Sequence, residues 1–234
     1  MKQKSLFATT LDKLEARLQK LNTQVAGVRW FYESGSREGA YEHSLELENN
    51  LERAVLLARE LPCAWGHPRG RDDVEKVMAD TIPVRIGFTE EGWFSIRIPA
   101  LLPKKEKGSA DYVRGFLIPA MTKFFSGKSP VRYPPSVLVY RHIYNRERPE
   151  RRKRDHDNFE INMVTDIIAI FVLPDDGPEY CNHYYCSAEG SEERTEVYVV
   201  PRQEFATWLQ SEKTMPDEGV TLYETCQKQS SGNT

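Results

Sequence analysis

Two pairs of aspartates, one pair on each side of an apolar segment, are the residues of this chain best suited to chemistry. Asp155 and Asp157 stand two positions apart, so both side chains point the same way if the segment approaches a helix in extended form. Asp175 and Asp176 follow the apolar segment and meet the first pair only if the chain folds back over the helix start. Clustered carboxylates need a neutralising cation or protons, and hard oxygen ligands suit Mg²⁺ or Mn²⁺. The pattern therefore predicts a divalent metal site.

The segment immediately before the first aspartate is strongly basic. Its positive residues are Arg146, Arg148, Arg151, Arg152, Lys153 and Arg154. Only Glu147 and Glu150 oppose them. Positive charge concentrated beside a metal site favours phosphate, so we expect these six residues to contact a nucleic-acid backbone.

Each of these features also has an ordinary structural interpretation. Asp-x-Asp-Asn before a helix is often a cap, and Asp-Asp-Gly after Pro174 is a common turn. A run of charges is usually a solvated loop. Structure alone does not require all of these features within residues 146–176, and their conjunction favours a functional site.

The same region resembles the RusA-type Holliday-junction resolvases. The resemblance covers residues 134–200 and rests on motifs in the family's order: a strand at 136–144, the arginine-rich loop, Asp-x-Asp-Asn at 155–158, the Asp-Asp pair, and strands near 183–188 and 195–200. It implies that Asp155, Asp157 and Asp176 bind Mg²⁺ or Mn²⁺, with Asp175 as a further ligand or the neighbour of one. The implied activity is metal-dependent endonucleolytic cleavage of branched DNA in recombination or repair.

Two positions depart from the pattern of that family. The family has a lysine three positions after the asparagine, where this chain has Ile161, and an aspartate seven positions after it, where this chain has Thr165. Asn158, Asn162 and Asp166 recur every four residues and predict one polar helix face. An alternative therefore stays open, namely a non-catalytic nucleic-acid-binding or interaction protein that keeps the resolvase-like scaffold.

Length, composition and net charge limit the possible classes of protein. The chain has 234 residues, 39% of them hydrophobic and 29% charged, which accommodates one large domain or two small ones. No apolar run is long enough to span a membrane and no signal-peptide pattern is visible, so we expect a cytoplasmic protein that does not bind membranes. The net charge of −3 gives no general attraction to DNA, so binding must be local to the basic segment.

The four cysteines do not predict a disulfide framework in a chain of this length. Cys181, His183 and Cys186 are close enough in sequence to suggest zinc, but a fourth ligand at the usual spacing is missing. We expect reduced thiols.

Residues 1–63 predict an antiparallel helical hairpin. Apolar residues alternate spacings of four and three in two runs, Phe7, Leu11, Leu14, Leu18, Leu21 and Val25, then Leu47, Leu51, Ala54, Ala58 and Leu61. A turn at residues 34–39 joins the two helices, and Pro62 is expected to end the second.

The remainder predicts a linker at 64–80, an α+β domain at 81–211 and a polar tail at 212–234. Within the domain we expect a β-hairpin at 84–98, helices at 110–125 and 158–171, and a short helix at 201–210. The fold class is thus α+β, a small mixed sheet with packed helices that resembles RusA, preceded by the hairpin. Helix 158–171 is apolar on most sides, which suggests burial against the sheet and a second subunit. A twofold homodimer, through this helix or the hairpin, would match the two symmetric strands of a junction.

Overall fold

A computed structural model describes residues 5–105, 108–147 and 153–226. Within these ranges the fold is α+β, with six α-helices and one five-stranded mixed sheet, so the predicted fold class is confirmed. The chain divides into two compact units, Met1–Val77 and Met78–Thr234. No helix in the described ranges is long and apolar enough to cross a membrane.

The first unit is built on an antiparallel pair of helices. Helix α1 spans Leu6–Glu33 and helix α2 spans Arg37–Ala64. Serine side chains cap both helices, with Ser5 Oγ accepting the Ala8 N–H at 3.2 Å and Ser36 Oγ accepting the Gly39 N–H at 3.4 Å. The turn between the helices is shorter than predicted, because α2 already begins at Arg37.

The contact between α1 and α2 differs from the predicted apolar seam. Leu21 and Ala54 are buried in it, but Leu18 and Val25 are 47% and 45% exposed. Polar residues take their place, and the guanidinium of Arg17 donates to Asn50 Oδ1 at 2.7 Å. The prediction was wrong at Leu18 and Val25, because the preceding polar residues Arg17 and Gln24 lie on the less exposed side of α1.

Two further expectations for the first 81 residues were wrong. Pro62 lies inside α2 and does not end it, since a proline near a C-terminus removes only one late hydrogen bond. Much of the expected linker at 64–80 is a third helix, α3, which spans Gly70–Thr81.

The second unit is organised around the sheet. Its strands are β1 Arg85–Phe88, β2 Phe94–Ile98, β3 Ser136–Asn145, β4 Cys181–Gly190 and β5 Arg194–Pro201. They lie in the order β1-β2-β5-β3-β4. Only β3 and β4 are parallel, and the chain between them crosses over through helix α5, Asn162–Val172. Helix α4 spans Ser109–Phe125 and contains Pro119 without being split, and helix α6 spans Phe205–Glu212.

The two faces of the sheet support different cores. One face carries Val137, Val139 and Tyr198, which pack with Trp208 of α6. The other face carries Tyr140, whose hydroxyl lies 2.7 Å from Thr165 Oγ1 on α5. Alternation along each strand therefore gives the two faces different sets of side chains, and both sets include buried polar groups, Glu196 among them on the α6 face.

Helix α5 begins four residues later than the sequence predicts. A 3₁₀ turn occupies His156–Asn158, and Phe159 is extended and pairs with Lys104 in an isolated β-bridge. Ile161 is the N-cap of α5, and Glu160 before it accepts the Met163 N–H with its Oε1 at 3.4 Å. The tertiary bridge overrides the helical tendency of this segment.

Candidate nucleic-acid and metal site

The first pair of aspartates lies on the 3₁₀ turn that precedes α5. Asp155 is its N-cap residue but makes no side-chain cap hydrogen bond. Asp155 and Asp157 are both exposed, and their carboxylates bond to no other residue that the structure describes. Within the described residues, both carboxylates are thus accessible to a ligand.

His156 fixes this turn to the sheet. Its Nε2 lies 2.8 Å from Ser187 Oγ on β4, and its ring centroid lies 5.8 Å from that of His142 on β3. Phe159 stacks on His142 from the next part of the chain, with centroids 3.9 Å apart. The histidine between the two aspartates thus faces the sheet, which fits a structural role for His156.

His142 is an unusual member of this stack. It is 0% exposed, and neither ring nitrogen has a hydrogen-bond partner among the described residues. Burial lowers the pKa of His142 to about 3, helped by the nearby charges of His156 and Arg154. The ring is therefore neutral at physiological pH.

A chain of polar groups continues from this stack beneath α5. Tyr140 and Thr165 are joined by hydroxyls 2.7 Å apart, Thr165 Oγ1 lies 3.3 Å from His183 Nε2, and the Tyr185 hydroxyl lies 3.1 Å from His183 Nδ1. Burial lowers the pKa of His183 and raises that of Tyr140. Thr165 stands where the resolvase pattern has an aspartate, and here it is buried within the network.

The second pair of aspartates follows α5 on an exposed turn. The Asp176 N–H donates to Asp175 Oδ1 at 2.8 Å. The charge of Asp176 adds to burial in raising the pKa of Asp166, and likewise adds to burial in raising the pKa of Cys181 to about 11. Asp176 is therefore electrostatically coupled to α5 and to the start of β4.

The three expected metal ligands are not gathered into a preformed site. Within residues 5–105, 108–147 and 153–226, no group of three or more His, Cys, Asp or Glu side chains is placed to hold a metal ion. The donor chemistry nevertheless suits Mg²⁺ or Mn²⁺, because Asp155, Asp157 and Asp176 are exposed carboxylates whose oxygens accept no hydrogen bond from the described chain. The zinc pattern is not assembled either, since strand alternation directs Cys186 to the face opposite His183.

Three of the six basic residues fall within the described chain. Arg146 donates to Asp217 Oδ2 at 2.9 Å and Lys153 to Glu189 Oε1 at 2.6 Å, and both pairs are exposed enough to exchange for phosphate. Arg154 is held more firmly, because its guanidinium donates to the Leu102 carbonyl at 3.0 Å and its N–H to the Tyr144 hydroxyl at 3.1 Å.

The predictions for Arg148, Arg151 and Arg152 lie outside the described residues. Of the predicted polar helix face, Asn162 and Asp166 are exposed on α5, whereas Asn158 precedes the helix. Ile161, at the family's lysine position, is only 8% exposed.

The sequence pattern of one protein family matches residues 2–226. This chain belongs to DUF6100, a family of unknown function. The match spans both compact units, so the helical hairpin belongs to DUF6100 as much as the α+β unit does. No curated protein matches this DUF6100 chain.

Sequence reasoning missed the buried part of the site. His142 and Tyr140 alternate along β3, opposite Ser187 and Tyr185 of β4 in the parallel register. The period-two spacing of these polar and aromatic residues was visible in the sequence. Their meeting depended on the pairing of β3 with β4, which the local pattern does not specify.

Proposed function

We propose that this DUF6100 protein is a divalent-metal-dependent endonuclease of the RusA type that acts on branched DNA in recombination or repair. One observation carries the proposal: the aspartates before α5 do not cap it. Asp155 and Asp157 make no cap hydrogen bond, and the side chain that accepts an N–H of the first turn of α5 is that of Glu160. This argues against the capping interpretation of Asp-x-Asp-Asn and supports the functional one, since the carboxylates are exposed.

Asp155, Asp157 and Asp176 would hold Mg²⁺ or Mn²⁺, with Asp175 beside them. When bound, such a metal supplies an activated water and stabilises the departing oxygen of the phosphodiester. The residues of the chain itself would orient these carboxylates and bind the DNA. His156 fixes the Asp155–Asp157 turn against β3 and β4, so that both carboxylates face solvent.

The basic segment would hold the DNA backbone next to these carboxylates. Lys153 and Arg146 are in exposed ion pairs, which contribute little to stability and can be replaced by phosphate contacts. Arg148, Arg151 and Arg152 belong to the same proposal on sequence grounds. Arg154 has a mainly positioning role, because it joins the end of β3 to the start of the turn.

A labelled four-way DNA junction tests the proposal. We expect the protein to cut it with Mg²⁺ and not with a chelator, and to leave linear duplex of the same sequence intact. Asp157→Asn should lower the cleavage rate at least about 100-fold, since even groups that only support a ligand typically cost 10–100-fold. Asp80→Asn, an exposed aspartate of α3, is the matched control and should retain full activity.

A second candidate is a non-catalytic protein that binds branched DNA on the same scaffold. Ile161 favours it, because this chain has no amine at the position where the resolvase pattern has a lysine. This candidate requires tight junction binding without cleavage at any Mg²⁺ concentration. Asp157→Asn should then leave the affinity unchanged or raise it by removing a negative charge near phosphate.

A further inference from the structure

The two edges of the sheet differ in their backbone pairing. At the β1 edge, Phe88 and Tyr223 exchange two backbone hydrogen bonds of 2.8 Å, so the C-terminal segment pairs with the last residue of that four-residue strand. At the other edge, residues 182–189 of β4 receive backbone hydrogen bonds only from β3 within the described chain. Within the described chain, no backbone group pairs with their outward N–H and C=O groups.

The open edge lacks the features with which proteins usually protect such strands. β4 is ten residues long and pairs with β3 in an unbroken register without a bulge. It contains no proline, and Gly190 is its last residue. Its one formal charge, Glu189, is already matched by Lys153 at 2.6 Å. A long, regular and nearly neutral edge is a template for another strand.

We propose that β4 pairs antiparallel with β4 of a second copy of this chain, so that two five-stranded sheets form one continuous sheet. A neutral strand is complementary to itself, because no like charges oppose each other in the middle of the pair. The pairing also gives a closed assembly. It uses the open edge of both copies and leaves only the short β1 edges, where Tyr223 pairs with Phe88, so assembly stops at the dimer.

The geometry has a consequence for the candidate site. A twofold axis through an antiparallel strand pair stands perpendicular to the sheet, and each face of one copy continues into the same face of the other. Ser187 of β4 and the His156 turn bound to it would therefore lie on one side of the dimer with their counterparts. The dimer does not depend on the proposed nuclease activity, but it would present both sites to one branched substrate.

Molar mass in solution tests the interface, measured by light scattering and by sedimentation over a range of concentrations. We expect twice the chain mass of 27.0 kDa. The double variant Asn182→Lys/Ala188→Lys places two positive charges per copy on the α6 side of β4, away from the candidate site. In the dimer these four lysines repel one another in any register, so dimerisation should weaken at least about 10-fold.

The matched control is Asn22→Lys/Ala26→Lys, the same pair of changes at exposed positions of α1. It should remain dimeric. A monomeric wild-type protein would overturn the inference. So would a dimer that persists in the β4 variant, and dissociation of the α1 variant alone would assign the interface to the helical hairpin.

Hydrogen exchange provides a readout that needs no variant. Amides of residues 181–190 should exchange more slowly at high than at low protein concentration, because pairing protects the outward N–H groups. Exchange that is independent of concentration would contradict the interface even if the β4 variant failed to fold. Junction cleavage is a separate assay, so loss of the dimer and loss of the nuclease hypothesis are distinguishable.

Discussion

Two buried polar groups on opposite faces of the sheet, Glu196 and His142, have contrasting surroundings. Beneath α6, the carboxylate of Glu196 is only 1% exposed but accepts hydrogen bonds from Arg141 at 3.0 Å, Arg194 at 2.7 Å and Tyr198 at 2.8 Å. Beneath α5, His142 is just as buried and has no hydrogen-bond partner in the described chain. A fully bonded buried group is typical of architecture, whereas an unbonded one beside exposed carboxylates is typical of a site.

The electrostatics of the two groups support this contrast. Burial opposes the charged form of Glu196, but its bond to Arg194 and the charges of Arg141 and Arg194 outweigh burial and hold its pKa below the usual value. Burial of His142 meets no such compensation, and its pKa falls. We infer that Glu196 stabilises the fold, and we propose that His142 belongs to the candidate site.

The largest predicted loss of stability is at Glu196. Glu196→Gln leaves Arg97, Arg141 and Arg194 buried around a neutral side chain, which should cost about 3–5 kcal/mol in the free energy of unfolding. Urea denaturation measures this loss. Glu189→Gln, which breaks only the exposed pair with Lys153, is the control and should change stability little. Equal effects of the two substitutions on stability would contradict a stabilising role of the Glu196 cluster.

The next effect is a dependence of stability on pH that His142 controls. The folded-state pKa of about 3 lies below the unfolded value near 6.5, so the unfolded chain binds more protons between these values. Stability should therefore rise with pH across this window and fall on acidification. His142→Phe keeps the ring stack on Phe159 and should flatten this slope, measured by thermal unfolding at several pH values. An unchanged slope would show that His142 is not buried as a neutral ring.

A smaller effect is expected for the hydroxyl pair beneath α5. Tyr140→Phe removes the 2.7 Å bond to Thr165 and should cost about 0.5–1.5 kcal/mol. Thr165→Val removes the other partner. The double variant should lose less than the sum of the two single losses, because both act on one interaction. Strict additivity in denaturant unfolding would show that the pair is not coupled.

The smallest effect on stability should accompany the aspartates before α5. Asp155→Asn and Asp157→Asn remove no hydrogen bond in the described chain and should shift the free energy of unfolding by no more than about 0.5 kcal/mol. The same substitutions should nevertheless abolish cleavage. A loss of more than about 1 kcal/mol in the free energy of unfolding would indicate that these two aspartates have a structural role.

Sequence patterns predicted the parts of the fold that depend on local information. The β1–β2 hairpin was predictable because Gly92 adopts the left-handed conformation at its turn, with φ of 82°. Helix α4 begins one residue from its predicted start. The prediction for α5 failed at its start, because the Phe159–Lys104 bridge is a contact between distant segments. The hairpin seam failed at Leu18 and Val25, where Arg17 and Gln24 lie on the less exposed side of α1.

The candidate site likewise has a part that local sequence patterns predict and a part that depends on tertiary contacts. Its aspartates and basic residues were found from their spacing. The stack of His142, His156 and Phe159 depends on which strands pair and on how the crossover returns, so no local pattern specifies it. The bond from the Met163 N–H to Glu160 was also missed, because Asp157 and Asn158 are the more usual capping residues.

The rate of junction cleavage over a Mg²⁺ titration, for the wild-type protein beside Asp155→Asn, tests the central claim most directly. We predict a rate that rises with Mg²⁺ to saturation in the wild type and stays at background in the folded variant. Equal rates in the two proteins, or no cleavage by the wild type at any Mg²⁺ or Mn²⁺ concentration, would contradict the claim that the exposed aspartates of this turn form a metal-dependent nuclease site.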